Sequence, residues 1–198
     1  MAYTYYSIYK PFGVLSQFTR ELAHHRVLGD LHDFPKDVYP VGRLDQDSEG
    51  LLLLTSNRSL TEALLNPRKA HRRTYWVQVE GEINMEAIQA LQSGVDIRIK
   101  KKTHRTAPAK AQLLEPPPAL PERDPPIRFR KNVPTSWLEL SLTEGKNRQV
   151  RRMCAAVGFP VLRLVRSSIE NLNLGAMQVG EVKEWQEQAF LQALKLGR

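Results

Sequence analysis

The sequence predicts an α/β or α+β fold in two lobes, and three observations lead there. From Leu51, over about 50 residues, stretches with the two-residue period of a strand alternate with stretches of helical period. A second strand and a strongly amphipathic helix follow from Trp137. Between these regions, residues 115–126 contain six prolines, which forces an extended surface crossing poor in backbone donors and marks a boundary. The expected lobes are therefore 42–114 and 1–41 with 127–198. At 198 residues, with 41% hydrophobic and 25% charged residues, the chain can hold a core and is neither disordered nor fibrous.

Tyr3 to Tyr9 is aromatic enough for a strand, ended by Pro11 and Gly13. Gln17 to Pro40 places His24, His25, Arg26 and His32 among Gly29, Pro35 and Pro40, and reads as loop with one short helix. The polar run Val41 to Gly50 then feeds Leu51 to Thr55, a buried strand. Ser59-Leu60-Thr61-Glu62 has the form of a capping box for a helix over 60–65, stopped by Asn66-Pro67. Tyr75, Val77 and Val79 alternate with Trp76, Gln78 and Glu80 as a half-buried strand closed by Gly81. Asn84 caps a helix through Gln92, ended by Ser93-Gly94.

The basic cluster Lys100 to Lys102, with His104 and Arg105, reads by itself as a solvated turn. In the strand Trp137 to Thr143, Leu138, Leu140 and Leu142 share one face. Asn147 is the expected N-cap of the next helix and Gly158 its left-handed C′ residue. Within that helix Val150, Met153, Cys154 and Val157 form an apolar stripe, and Arg148, Arg151 and Arg152 fall together on the other face. Leu162 and Leu164, alternating with Arg163 and Arg166, continue as a strand, and Trp185 to Leu194 closes the chain as a helix.

No apolar run approaches the roughly 20 residues that span a bilayer, and Met1 to Lys10 lacks the basic start and apolar core of a secretory signal, so a cytoplasmic protein is expected. A lone cysteine, Cys154, forms no internal disulfide and has no zinc-ligand neighbours in sequence. The formal charge of +8 favours a polyanionic partner, with nucleic acid ahead of plain solubility only if the charge is clustered. Asp45, Asp47 and Glu49 before Gly50 mimic the start of a calcium loop, but its twelfth position is Ser56 and leucines fill its second half. The same carboxylates could serve as an acid/base pair or as ligands of a two-metal nuclease, while Asp47 and Ser48 equally suit turn bonds. Asp45 stands apart because it sits between Arg43-Leu44 and a buried strand.

Gly42-Arg43-Leu44-Asp45 with Gly50-Leu51-Leu52-Leu53-Leu54-Thr55, then Tyr75-Trp76-Val77, then Glu144-Gly145-Lys146-Asn147-Arg148-Gln149-Val150-Arg151-Arg152-Met153 closely resembles the ribosomal small-subunit-A type of pseudouridine synthases. Three motifs in the family's order, over more than half the chain, carry far more weight than one short match. Several family members carry an N-terminal S4 RNA-binding domain, whereas this chain begins directly at the catalytic core. The basic proline-rich crossing and Gly158-Phe159-Pro160 with Leu162-Arg163-Leu164 are similar to the branch that modifies the large subunit.

The resemblance implies an α+β fold, two lobes sharing a mixed, largely antiparallel bent sheet with flanking helices and a central cleft near Asp45. It implies site-specific isomerisation of uridine to pseudouridine in ribosomal RNA, 23S rRNA in the first place, free or in an assembling large subunit. No cofactor, no metal and no membrane are implied, and a monomer is expected. Asp45 matches the catalytic aspartate, Arg151 the arginine that orients it, and Tyr75 the tyrosine that stacks on the target base. Without the family, Tyr75 reads as a core tyrosine beside Val77 and Val79. Leu164 matches the apolar wall under the uracil, though an ordinary core leucine fits equally.

Arg43, Arg148 and Arg152 are candidate substrate contacts, within a wider set of Arg68, Lys69, Arg72, Arg73, Lys100 to Lys102, Arg128, Arg130 and Lys131. Arg43 could instead buttress the Asp45 loop. Two alternatives remain at this level: a noncatalytic RNA-binding ribosome-assembly protein on the same fold, and a metal-dependent nuclease built on Asp45, Asp47 and Glu49.

Overall fold

The structure, a computed structural model, describes residues 3–127 and 130–196. In chain order the elements are β1 (Tyr5–Lys10), β2 (Tyr39–Pro40), β3 (Glu49–Thr55), α1 (Arg58–Leu65), β4 (Arg73–Glu80), α2 (Met85–Ser93), β5 (Asp96–Ile99), β6 (Lys102–Arg105), β7 (Lys110–Leu113), β8 (Thr135–Leu142), α3 (Gln149–Ala156), β9 (Val161–Ile169), β10 (Leu172–Asn173), β11 (Val182–Glu184) and α4 (Glu187–Ala193). Two single-turn 3-10 helices, Leu28–Asp30 and Pro67–Lys69, interrupt the loops. The class is α+β with a mixed, largely antiparallel sheet. Among the described residues no helix is long and apolar enough to cross a membrane.

The chain divides into two compact units, Met1–His71 with Val165–Arg198, and Arg72–Leu164. In the first, the strand order is β11-β1-β3-β9, with β2 on β3 and β10 on β9. β1 runs antiparallel to β3 from Tyr5↔Thr55 to Lys10↔Gly50, and β3 meets β9 in parallel at Glu49↔Val165 and Gly50↔Arg166. Leu51, Leu52, Leu53 and Leu54 are all fully buried. Consecutive apolar residues survive in a strand only when both faces are covered, which makes β3 a central strand.

In the second unit the order is β9-β4-β8-β7, and β4 pairs with β8 over its whole length from Arg73↔Leu142 to Glu80↔Thr135. Val77, Val79, Leu138 and Leu140 of these strands pack with Ile88 and Leu91 of α2 and with Met153 and Cys154 of α3 in one apolar core. Burial pushes the Cys154 thiol up to about 12, against a weaker opposing pull from Arg151, so it stays a packing residue.

This division differs from the lobes expected at 42–114 and 1–41 with 127–198. Strand pairing, not proline content, sets the boundary: β3 belongs with β1 and β9, and the crossing 115–126 lies inside the second unit. The crossing itself has no strand or helix.

Helix ends also depart from the sequence expectation. The N-cap of α1 is Asn57, whose side chain accepts the Leu60 N–H at 3.0 Å, so Ser59 lies inside the helix and the anticipated capping box does not form. α3 starts after Arg148, in left-handed conformation at φ 51°, not at Asn147. There the Gln149 side chain reaches back to accept the Lys146 N–H at 2.8 Å, which ties the preceding turn to the first residue of the helix, and no side chain caps the helix amides. Asn84 caps α2 as expected, accepting the Ala87 N–H at 2.9 Å. The closing helix begins two residues later than expected, because the Trp185 N–H extends the pairing with β1 by donating to Tyr5 O. Lys100 at φ 55° and Lys101 form the turn between β5 and β6, whereas Lys102, His104 and Arg105 of the expected solvated turn belong to strand β6, where pairing with β5 orders them.

Candidate active site

Asp45 lies in the loop that leads into β3, half-buried, beside exposed Arg43 and buried Leu44. Its backbone carbonyl accepts the Ser48 N–H at 3.0 Å, a tight turn that lets the chain enter β3 at Glu49. Asp47 and Ser48 thus belong to a turn, as their residue types allowed. Glu49 and Ser48 are buried at 2% and 1% exposure, which turns both inward with β3.

Tyr75, Arg148, Arg151, Arg152 and Leu164 belong to the second unit, and Arg43 with Asp45 to the first. Within the second unit, Leu164 is part of the apolar core and Tyr75 packs half-buried against that core. Arg151 leaves α3 half-buried at the edge of the stripe of Val150, Met153 and Cys154, and its Nη1 donates to Val161 O at 3.4 Å at the start of β9. Arg152 points along the outer face, where its guanidinium donates to Asn147 O at 3.0 Å and to Arg98 O. Arg148 is exposed. The expected opposition of an apolar and a basic face on α3 is present, while Arg152 spends part of its hydrogen bonding on the protein backbone. Arg128 lies outside the described residues.

The start of α3 is held by a side-chain cluster that the sequence did not reveal. Glu144 accepts the Ala107 N–H at 2.8 Å and the Gln149 amide at 2.7 Å, and it meets His104 Nε2 at 3.2 Å. Burial alone would raise the Glu144 pKa, but these hydrogen bonds and the His104 charge outweigh it and hold the carboxyl below its ordinary value. The motif Glu144 to Met153 therefore contains its own scaffold, with Glu144 and Gln149 fixing the turn from which the arginines project.

Lys10 is the second group that sequence reasoning missed. It is completely buried, with Nζ donating to Pro11 O at 2.8 Å and Val14 O at 2.7 Å. Burial drives its pKa down to about 7, against the opposing pull of Glu49, Asp47 and Asp45 and with some help from Arg166. Arg166 is itself buried and donates from Nε to Leu51 O at 2.7 Å. A lysine followed by proline and glycine at a strand end looks like a surface turn, and only its lack of exposure reveals otherwise.

Because the folded-state pKa of Lys10 is lowered, between about pH 7 and 10 the unfolded chain holds a proton that the folded chain has released. Stability from this group therefore rises with pH across that window, by up to about 1.4 kcal/mol per pH unit, and is flat below it. Lys10→Met is expected to remove that slope and, by stranding two carbonyls, to destabilise the protein by about 2 kcal/mol at neutral pH. Urea unfolding of both proteins at pH 6, 7.5 and 9 measures it; equal slopes would contradict the assignment.

A family profile described as RNA pseudouridylate synthase matches residues 4–156, well over half the chain and including Asp45, Tyr75 and Arg151. The chain belongs to the RNA pseudouridylate synthase family. Among curated relatives, a ribosomal large subunit pseudouridine synthase E of Xanthomonas axonopodis pv. citri (strain 306) is 52% identical over 169 residues, 85% of this chain and 86% of that one. The protein of the same name from Vibrio parahaemolyticus serotype O3:K6 is 46% identical over 177 residues, 89% of this chain and 71% of that one. A crystal structure of a pseudouridylate synthase superposes with a TM-score of 0.79 over 98% of this chain and 74% of that one, and at 24% identity it speaks for the fold alone. As an RNA pseudouridine synthase, the chain is an isomerase, and the α+β pseudouridine synthase fold anticipated from its motifs is the one observed.

Proposed function

We propose that this RNA pseudouridine synthase isomerises selected uridines of ribosomal RNA, in 23S rRNA, acting as a cytoplasmic monomer. The substrate assignment is carried by the 52% identity to a protein named for the ribosomal large subunit, extending over most of both chains. In the reaction the bond from N1 to C1′ breaks, the base turns in place, and C5 bonds to C1′ while the hydrogen on C5 leaves and N1 takes a proton. No electrons leave the nucleotide and no group enters, so neither a redox cofactor nor a co-substrate is required.

Asp45 is the catalytic carboxylate, acting at C1′ or on a ribose proton as the glycosidic bond opens. Arg151 orients it. Tyr75 stacks on the uracil and Leu164 walls the pocket, a pairing supported by the packing of Tyr75 against the core that contains Leu164. The target base leaves its stack to reach such a pocket, at a cost of a few kcal/mol that stacking and phosphate contacts offset. Arg43, Arg148 and Arg152 supply such contacts, and Arg68, Lys69, Lys100, Lys101, Lys102, Arg130 and Lys131 are further exposed candidates.

The test is tritium release from unmodified 23S rRNA labelled at uridine C5, in EDTA. Release at near-stoichiometric yield is expected, with RNA affinity falling on the order of a hundred-fold or more between about 50 and 200 mM salt. Release from 16S rRNA or from assembling particles alone would move the substrate. Tight binding with no release from any of them would leave a noncatalytic RNA-binding protein, and strand cleavage dependent on divalent metal would favour the nuclease.

A further inference from the structure

Leu44 and Gln46 flank Asp45, and both are tied to the loop that follows β1. Ser16 is 4% exposed, and its hydroxyl donates to Leu44 O at 2.8 Å while accepting the Leu44 N–H at 3.0 Å. One hydroxyl offers a single donor, so both sides of Leu44 take up its donor and one of its acceptor positions. Gly13 N–H donates to Gln46 O at 2.8 Å, and the Gln46 amide donates back to Gly13 O at 3.3 Å. With the Ser48 N–H on Asp45 O, four consecutive peptide groups, 43–44, 44–45, 45–46 and 46–47, are each held by a hydrogen bond. Ser16 holds two of the four.

The holding loop is itself anchored. Lys10 Nζ binds Pro11 O and Val14 O, and the Leu15 N–H donates to Arg26 O at 2.9 Å. All these groups lie in the first unit. The backbone on both sides of Asp45 is thus fixed by contacts from a segment about 30 residues upstream.

We propose that Ser16 is a positioning residue for the isomerisation, its hydroxyl fixing the Leu44 peptides so that the Asp45 carboxylate meets the ribose in the reactive geometry. This rests on Asp45 being the catalytic group. Displacement of a reacting group by about 1 Å can cost on the order of a hundred-fold in rate, so a backbone clamp acts on the rate and not on RNA affinity. Removing the hydroxyl leaves Leu44 N–H and C=O free to drift, while the basic surface that holds the RNA stays as it was.

The experiment compares single-turnover tritium release, RNA Kd and Tm for wild type, Ser16→Ala, Ser16→Thr, Ser16→Cys and Asp45→Asn. The expected result is a ten- to fifty-fold slower release for Ser16→Ala, on the order set by small displacements of a reacting group, with Kd within about twofold. Ser16→Thr, which restores the hydroxyl, should recover the rate to within about threefold. Should Ser16→Ala fail to fold, Ser16→Cys keeps the volume with a weak donor and acceptor and is expected to be intermediate in rate at wild-type Kd. Wild-type release by Ser16→Ala or Ser16→Cys would overturn the proposal, as would a loss shared equally by rate, affinity and folded fraction and not rescued by threonine. An inactive Asp45→Asn beside a fully active Ser16→Ala removes this inference alone; an active Asp45→Asn removes the assignment of Asp45 beneath it.

Discussion

Asp45→Asn is expected to slow tritium release from uridine C5 by at least about a thousand-fold while leaving RNA affinity within about twofold. The two side chains are nearly the same size, and Asp45 is only half-buried, so the fold has little reason to respond. Chemistry has every reason to respond. Whether the carboxylate adds to C1′ or removes a ribose proton, an uncharged amide does neither at neutral pH. The backbone bonds around residue 45 involve Leu44, Gln46 and the Asp45 carbonyl, and all of these survive the substitution. Equal Tm and Kd beside a lost rate would isolate the chemical step, and a rate within tenfold of wild type would contradict the assignment.

Gly50→Ala is expected to destabilise the protein by about 4 kcal/mol or more, enough to prevent folded protein from accumulating. Gly50 sits at φ +103°, in β3, paired to Lys10 on one side and Arg166 on the other. A Cβ there would fall 2.4 Å from Arg166 O, 2.6 Å from its N and 3.0 Å from its C. These are backbone atoms of a buried strand, so no side-chain rotation relieves the clash. β9 would have to withdraw from β3, opening the parallel contact at Glu49↔Val165 and Gly50↔Arg166. Gly145→Ala is the control, because a Cβ there meets nothing within 4 Å, and its stability should stay within about 0.5 kcal/mol. Urea unfolding of the two variants measures the contrast, and similar midpoints would contradict it.

The apolar patterns of the long elements are legible in the sequence. The four leucines of β3 form the continuous apolar run of a strand covered on both faces, while the alternation Tyr75, Val77, Val79 and the stripe Val150, Met153, Cys154 repeat with the period of their elements. The motif around Asp45 was legible because its loop, glycine and leucine run stand together in sequence. Features that one atom creates across a distance were not. Nothing marks Ser16 as the partner of a residue 28 positions away, and nothing in Lys10-Pro11 predicts a lysine with no exposure. Short polar strands failed for the opposite reason: β5, β6 and β7 have too few buried residues to show a period. The helix starts at Asn57 and Arg148 escaped because better-looking cap residues, Ser59 and Asn147, lay within two positions of them.

The way the two units are cut from the chain bears on the order in which they can be completed during synthesis. Residues Arg72–Leu164 are continuous and emerge from the ribosome together, whereas the other unit needs Met1–His71 and Val165–Arg198 at once. β1 waits for β11, its partner through Tyr6↔Glu184, and β3 waits for β9. At elongation rates of roughly 5 to 20 residues per second, β1 and β3 stay without those partners for roughly 5 to 35 seconds. The middle of the chain can therefore fold before its beginning. The Asp45 loop, although it is made early, belongs to the interrupted unit, so the sheet behind it is complete only as the last strands arrive.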